Sequence, residues 1–383
     1  MNYLKGTPEQ KELLAKMGSA NKLESMEAQQ AFAQFMTAPV LQAIKEADLV
    51  SNIYKDIEFD DTTNPTFPLD LYYNENYAGY LNIWSATVDD GMATNLVDVP
   101  VKELQLQTYE LRSAVSFLRK HAQNGRLDVV AASMERLAQE FVHKKNVNGW
   151  NVIMAALASG NAKNGKAVSA GVSGAVQNVL RSSGSSLQMK DISDLMTRAR
   201  RIGSSQFGGT PVNPRGIAGS DLYVSPEVMG QIREFAFNPV RTDSSAATTN
   251  STNLPESERE KIFSAAGAKE FFGLMIHELN ELGLDKSFNS LFDTYAGSTS
   301  YLRIDGTNGS AFTGSSDEIL VLIDSSTGAF RRPVAINSDS KGQLLIAPDD
   351  QFSARTKKLG FYAELNEGYL CLDGRKCTGL MLG

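Results

Sequence analysis

Leu127-Asp-Val-Val-Ala-Ala-Ser-Met-Glu-Arg-Leu-Ala-Gln-Glu-Phe-Val-His-Lys-Lys145 carries the longest helical pattern in the chain. Val130, Met134, Leu137 and Phe141 recur at spacings of four, three and four. That rhythm puts them on one face of a 3.6-residue helix, a stripe that must face a core. Glu135, Arg136, Gln139 and Glu140 take the other face. His143, Lys144 and Lys145 are expected in the last turn, where cations complement the helix dipole. A second apolar stretch, Trp150 to Leu157, extends the helical region.

Upstream of this helix the pattern changes to strands. Val97, Val99 and Val101 alternate with Asp98 and Pro100, and Leu104, Leu106 and Thr108 continue the two-residue period. Asp89-Asp90-Gly91 is a turn signal. Pro65 and Pro68 exclude a helix. Phe67, Tyr72, Tyr73, Tyr77, Tyr80 and Trp84 then cluster in one short segment. Residues 53–105 therefore read as a long β-hairpin rich in aromatic side chains. A lone hairpin is marginal in water, so these rings need a surface to cover them, on this domain or on a neighbouring subunit. Residues 1–52 read as polar and helical. Thr7-Pro8-Glu9 is a helix start; Leu13, Leu14 and Met17 share one face. Met26, Phe32, Phe35 and Met36 form a stripe before Pro39, and Leu41, Ile44 and Val50 follow at loose helical spacing. Such a segment is either a set of surface helices or an arm docked on this subunit or another.

Downstream, 20 of the 29 residues from Ala158 to Ser186 are Ala, Ser, Gly or Asn, which predicts a pliable connection and no core element. Order returns at Asp191, with Ile192, Leu195, Met196, Ala199 and Ile202 on a helical face ended by Gly203. Leu222-Tyr-Val224 is a short buried strand, and Ser225-Pro226-Glu227 starts a helix. Ser244 to Asn253 is a second flexible loop, and Ile319-Leu-Val-Leu-Ile323 is a buried strand. The C-terminal part reads as strands at 344–347, 355–365, 369–372 and 378–382, expected beside the long helix, with the middle of the chain as a separate lobe.

Composition narrows the function classes. The chain has 383 residues, 37 Lys and Arg against 44 Asp and Glu, and a formal net charge of −7. A dedicated nucleic-acid binder usually shows a basic excess. Two Cys and three His exclude a disulfide scaffold and argue against a multi-Cys or multi-His zinc site. Cys371 and Cys377 flank a turn signal at Asp373-Gly374 and are expected as reduced thiols, with a cross-hairpin disulfide the lesser alternative. Met1-Asn-Tyr-Leu-Lys-Gly6 lacks a signal-peptide pattern, and no stretch reaches the roughly 18 apolar residues of a membrane helix. A cytosolic site of synthesis is the expectation.

No full catalytic constellation is present. Gly160-Asn-Ala-Lys-Asn-Gly165-Lys166-Ala167 has phosphate-loop spacing, but Ala167 stands where a Mg²⁺-binding hydroxyl belongs. Ser173 lies in Ala170-Gly-Val-Ser-Gly-Ala175, which lacks the last glycine of a nucleophile elbow. His121, His143 and His277 are scattered; His277-Glu278 reads as a surface pair and His143 as a helix-end cation. Asp60-Asp61, Asp89-Asp90 and Asp349-Asp350 read as solvated loop pairs. No catalytic, cofactor-binding or metal-ligating residue is assigned.

The order of parts is the stronger signal, and it resembles the major capsid protein of tailed bacteriophages, the Hong Kong 97-type fold. Val99-Pro-Val-Lys-Glu-Leu-Gln-Leu106, running on to the helix from Leu127, resembles that family's hairpin return and spine helix. Leu222-Tyr-Val-Ser-Pro-Glu227 resembles the strand-to-helix step of its axial lobe, and Glu318-Ile-Leu-Val-Leu-Ile-Asp324 the strand leaving that lobe. Arg355-Thr-Lys-Lys-Leu-Gly-Phe361 through Gly368 resembles its final peripheral strands. The resemblance spans nearly the whole chain.

It implies an α+β fold with an N-terminal arm (1–52), an extended β-hairpin loop (53–105), and a peripheral domain with a long spine helix (106–160). A flexible connection (161–186), an axial domain (187–335) and return strands of the peripheral domain (336–383) follow. It also implies a structural protein, not an enzyme, that self-assembles as pentamers and hexamers into an icosahedral shell around double-stranded DNA. Phe67, Tyr72, Tyr73, Tyr77, Tyr80 and Trp84 are then candidate subunit-interface residues. The implied partners are further copies of the chain, a separate scaffolding protein (the arm being too short for a fused one), a portal and decoration proteins. No cofactor, no metal and no membrane are implied; the virion capsid, assembled in the host cytoplasm, is the implied location. An encapsulin-like nanocompartment shares the implied fold. A soluble enzyme or an aromatic-faced binding module are the readings from other classes.

Overall fold

The computed structural model describes residues 8–19, 21–60, 66–68, 103–124, 127–159, 178–182, 184–202, 220–237, 270–303, 308–325, 328–336, 343–349, 357–372 and 374–383. Contacts divide the chain into two units, each discontinuous in sequence. One combines Met1–Phe67, Leu104–Gly149 and Arg331–Leu370; the other combines Pro68–Glu103, Trp150–Phe330 and Cys371–Gly383.

In chain order the described helices are α1 (Pro8–Met17), α2 (Lys22–Ala47), α3 (Arg119–Gln123), α4 (Leu127–Ser159), α5 (Met189–Ile202), α6 (Pro226–Phe237) and α7 (Ser287–Ala296). The strands begin with β1 (Lys55–Asp60), β2 (Thr66–Pro68), β3 (Glu103–Gln105), β4 (Tyr109–Leu118) and β5 (Val179–Arg181). They continue with β6 (Asp221–Val224), β7 (Glu270–Phe271), β8 (Leu274–Glu278), β9 (Ser300–Leu302) and β10 (Asn308–Ala311). The last are β11 (Glu318–Ile323), β12 (Phe330–Ile336), β13 (Leu344–Asp349), β14 (Lys358–Glu367), β15 (Leu370–Cys371) and β16 (Cys377–Leu382). Helices and strands mix without regular βαβ alternation, an α+β arrangement.

The first unit is built on β14. Antiparallel β4 lies along one edge, pairing Lys358 with Leu118 through Glu367 with Tyr109. Antiparallel β13 lies along the other, pairing Leu344 with Leu365 through Asp349 with Gly360. β12 joins at Val334–Glu367, and β1 runs parallel to it from Lys55–Arg331 to Asp60–Ile336. Alternation on β14 sends Leu359, Phe361, Ala363 and Leu365 inward, where they meet Val130, Met134, Leu137 and Phe141 of α4. Phe361 is fully buried, with the rings of Phe32 and Phe117 centred 5.4 and 6.0 Å away. Burying such a side chain contributes about 1.5–3 kcal/mol.

The N-terminal helices complete this core, so this segment docks on its own subunit. Asn21 caps α2 by accepting from the Leu23 amide at 3.3 Å. Phe32, Met36, Val40 and Ile44 form its buried stripe, whereas Met26 and Phe35 are exposed. Pro39 lies inside the helix, which runs on to Ala47. It removes one backbone hydrogen bond, and the buried Val40 and Ile44 carry the stripe past it.

The second unit centres on a six-stranded sheet of order β5-β16-β11-β6-β8-β7. β16 and β11 are antiparallel, β11 and β6 antiparallel, and β6 and β8 parallel. All six residues of β11 are buried, as a strand covered on both faces requires. Leu222, Val224, Leu320, Leu322, Leu380 and Leu382 pack with Ile192, Leu195 and Ala199 of α5 and Val228 and Ile232 of α6. On the other face, Trp150 meets Tyr223 edge-on at 5.2 Å and stacks on Phe288 at 5.1 Å. Ser225 caps α6 through the Val228 amide at 3.1 Å, with Pro226 in the first turn, as its sequence predicts. The turn from β7 to β8 puts Phe272 and Gly273 at positive φ, 52° and 78°. Two such residues make the primed turn that suits a tight hairpin.

Three expectations change. The helix from Leu127 does not end at Lys145 but runs 33 residues to Ser159, about 50 Å at the α-helical rise. Its residues through Gly149 belong to the first unit, and those from Trp150 to the second. Within the expected flexible connection, Val179–Arg181 is a buried strand, because β16 offers it a parallel edge. The final strand lies in the second unit's sheet, not beside β14, where its fully buried residues pair with the equally buried β11. The rest of the connection, the loop at 244–253 and the phosphate-loop-like and Ser173 stretches lie outside the described residues. No disulfide joins Cys371 and Cys377. Among the described residues no helix is long and apolar enough to cross a membrane.

Candidate functional site

Of the six aromatic interface candidates, Phe67 falls in β2, which pairs with β3 as a two-stranded ribbon. The two strands bracket residues 69–102. Tyr72, Tyr73, Tyr77, Tyr80 and Trp84 lie in that bracket, outside the described residues. The ribbon is the place where the chain leaves for, and returns from, the aromatic segment.

The densest polar chemistry in the first unit was not foreseen. Asp48 sits at the C-cap position of α2, and its Oδ1 accepts from the Val50 amide at 3.0 Å. Its Oδ2 accepts from Lys145 Nζ at 2.7 Å and from Arg332 Nη1 at 3.0 Å. Arg332 also grips Asp56 with two bonds, Nε to Oδ1 at 2.7 Å and Nη2 to Oδ2 at 2.8 Å. Glu367 Oε2 lies 3.9 Å from Lys145 Nζ, and Glu367 Oε1 accepts from the Tyr369 hydroxyl at 3.0 Å. The side chains of Asp48 and Glu367 are 1% exposed, and those of Lys145 and Arg332 are 5% exposed. Burial pushes the Glu367 carboxyl up, against the pull of Lys145 and Arg332. Burial pushes the Tyr369 hydroxyl up as well, with Glu367 adding to it. Burial works against the charge of Arg332, yet the hydrogen bond and charge of Asp56 hold its guanidinium above the usual value. A cavity of about 10 Å³, room for one water, adjoins the cluster and is lined in part by Ile44, Lys145, Arg332, Leu365 and Glu367.

Lys145 was expected as a last-turn cation, and the continuation of α4 overturns that placement. Its partners stand 97 and 222 positions away, so no local spacing points to them. The one available signal was Arg331-Arg332 inside the otherwise apolar run Phe330–Ile336.

In the second unit His277 is not an isolated surface residue. Its Nε2 donates to Asp221 Oδ1 at 2.9 Å and its ring stacks on Tyr223 at 4.9 Å. Ser220 and Ser325 both donate to Asp221 Oδ2, the second at 2.6 Å. Burial alone would raise the Asp221 carboxyl, but the bonds from His277 and the two serines outweigh it and hold it below the usual value. A hydrolytic relay needs serine on imidazole and imidazole on carboxylate. Here both hydroxyls donate to the carboxylate itself, a geometry that fixes a charge and activates no nucleophile. Arg181 and Asp317 form a second buried pair, bonded at 3.1 and 3.2 Å. His121 lies on α3 and His143 is exposed midway along α4. Among the described residues no group of three or more His, Cys, Asp or Glu could hold a metal ion.

No family model matches the chain, and no curated protein matches it in sequence. Solved structures similar to it include one from Microbacterium phage Oxtober96, at 10% identity and a TM-score of 0.46, covering 88% of this chain and 90% of that one. The capsid of a native GTA particle is similar at 11% identity and a TM-score of 0.45, with the same two coverages. The holo-SrpI encapsulin complex from Synechococcus elongatus PCC 7942 is similar at 9% identity and a TM-score of 0.35, covering 73% of this chain and 74% of that one.

Proposed function

We propose that this chain is the structural subunit of a tailed-phage shell. It assembles as pentamers and hexamers around double-stranded DNA, with a scaffolding protein and a portal as partners and no catalytic activity of its own. The observation that carries the reading is the route of the chain. A helical N-terminal segment is followed by a ribbon that brackets an aromatic stretch, then by an edge strand, one 33-residue helix, an inserted sheet unit, and a return to the first unit's sheet. That succession agrees with the order of parts that the resemblance to Hong Kong 97-type capsid proteins implies.

Physical argument supports the same role. A shell subunit works through contact area, and stable interfaces bury about 1,200–2,000 Å². Aromatic side chains on a long excursion supply such area, and they are enriched at interface centres. The polar clusters of both units are tied into internal ion pairs and hydrogen bonds, which suits a rigid structural body. A net charge of −7 suits a container that must not adhere to the DNA inside it.

The test is to express the chain with and without a co-expressed scaffolding protein and to image the products by negative-stain electron microscopy. Closed icosahedral particles support the proposal. A compact monomer under every condition overturns it. Particles that enclose a cargo enzyme and exclude DNA would move the assignment to a nanocompartment shell.

A further inference from the structure

The geometry of the Asp48 cluster points to a covalent modification: we propose that Lys145 Nζ and Asp48 Cγ condense to a side-chain amide, an isopeptide bond within the first unit. The two groups are already in contact, with Nζ 2.7 Å from Oδ2. Neither can drift away. Lys145 is fixed midway along α4, and the other oxygen of Asp48 is held by the Val50 amide. Fixing reactants in this way replaces a bimolecular encounter by a local step, with effective molarities of about 10⁵ M or more.

The surroundings favour the neutral product. Both side chains are nearly sealed from solvent, and buried ions bear a desolvation penalty that an amide escapes. The balance closes without an outside reagent. The ammonium passes one proton along the 2.7 Å contact to the carboxylate, leaving a neutral amine and a carboxylic acid. The nitrogen lone pair attacks Cγ, and the C–N bond forms as one C–O bond breaks. The departing hydroxyl takes one of the two remaining amine protons and leaves as water, and the other stays on the amide nitrogen. No atom is oxidised or reduced.

Three neighbours fit roles in that step. Glu367, 3.9 Å from Nζ and favoured in its protonated form by burial, is placed to relay the amine proton to the departing oxygen. The Val50 amide, 3.0 Å from Oδ1, is placed to hold the negative charge that builds on that oxygen during attack, while Arg332 Nη1, 3.0 Å from Oδ2, keeps the departing oxygen in position. The adjoining cavity of about 10 Å³ can take the released water. The bond would join the end of α2 to the middle of α4, fastening the N-terminal segment to the long helix. This inference rests on the cluster alone and does not depend on shell assembly.

The test is the intact mass of the denatured full chain, followed by a peptide digest. The expected result is a chain lighter by one water than its sequence, with a branched peptide joining the segments that carry Asp48 and Lys145. A full sequence mass, or a water loss mapped elsewhere, overturns the proposal. Lys145→Arg should restore the full mass. Asp48→Asn should lose ammonia in place of water. Glu367→Gln, with folding checked by circular dichroism, should leave most of the chain unlinked; complete linkage in that variant would overturn the relay role.

Discussion

The Tyr54 hydroxyl donates to the backbone carbonyl of Gly149 at 2.8 Å, and Val50 fills the space that a Cβ on Gly149 would need. That methyl group would stand 2.6 Å from Val50 Cγ1 and 3.0 Å from Cγ2, and Val50 is fully buried. Two effects compete in Gly149→Ala. Alanine gains about 1 kcal/mol of helix propensity. Overpacking costs about 1–3 kcal/mol, and a buried β-branched neighbour with one stiff torsion yields poorly. The expected outcome is a net loss, seen as a lower thermal midpoint. A midpoint at or above that of the parent chain would show that Val50 can move aside.

Arg181 and Asp317 are paired by two bonds, at 3.1 and 3.2 Å, with side chains only 8% and 5% exposed. Removing one partner strands a charge in a dry site. Asp317→Leu should therefore cost about 3–5 kcal/mol. Adding Arg181→Met removes the stranded charge, so the double variant should be more stable than Asp317→Leu alone. Denaturant unfolding of the four chains in a double-mutant cycle reads this directly. Equal losses in the single and double variants would mean that Asp317 matters through its bond from the Thr313 amide and not through its charge.

What was legible in the sequence was local. The stripe Val130, Met134, Leu137 and Phe141 predicts a core-facing helix because its rhythm is that of one helical face, and all four residues are buried. Ser225-Pro226 predicts the start of α6 because capping is a matter of adjacent residues. What was not legible depends on distant partners. His143-Lys-Lys145 reads as a last turn, yet Val50 and Tyr54 close around Gly149 and the helix runs on. Val179–Arg181 sits in a run of small residues, and only the edge of β16 makes it a strand. Lys145 looks solvated until Asp48 and Glu367 arrive from opposite ends of the chain. Of the aromatic candidates, only the backbone of Phe67 lies among the described residues.

Asp221 sets a pH dependence with a definite sign. Its folded carboxyl lies below the ordinary value of 3.8, because His277, Ser220 and Ser325 together outweigh the cost of burial. A depressed folded value means that the unfolded chain binds the proton more readily. The stabilisation is therefore fully present above the ordinary carboxylate value and is lost as pH falls through the lower folded value. Asp221→Asn should have a lower thermal midpoint than the parent at neutral pH, and the gap should close only on strong acidification, below about pH 4. A gap that is constant down to strong acid would show that the charge on Asp221 contributes nothing and that the side chain acts by shape alone.

The shell proposal makes its sharpest demand on Tyr80 and Trp84. Both lie in the segment bracketed by β2 and β3, outside the described residues. If they bury against a neighbouring copy, a charge at either position must be desolvated when subunits meet, without a partner to offset it. Truncating a well-buried interface aromatic commonly costs about 2 kcal/mol or more per contact, and a shell repeats each contact many times. Tyr80→Asp and Trp84→Asp should therefore abolish particles while leaving the circular dichroism spectrum and thermal midpoint of the unassembled subunit unchanged. Each measurement separates a different failure. A lowered midpoint would place the ring in a core of its own subunit, and normal particles from both variants would remove this segment from the interface.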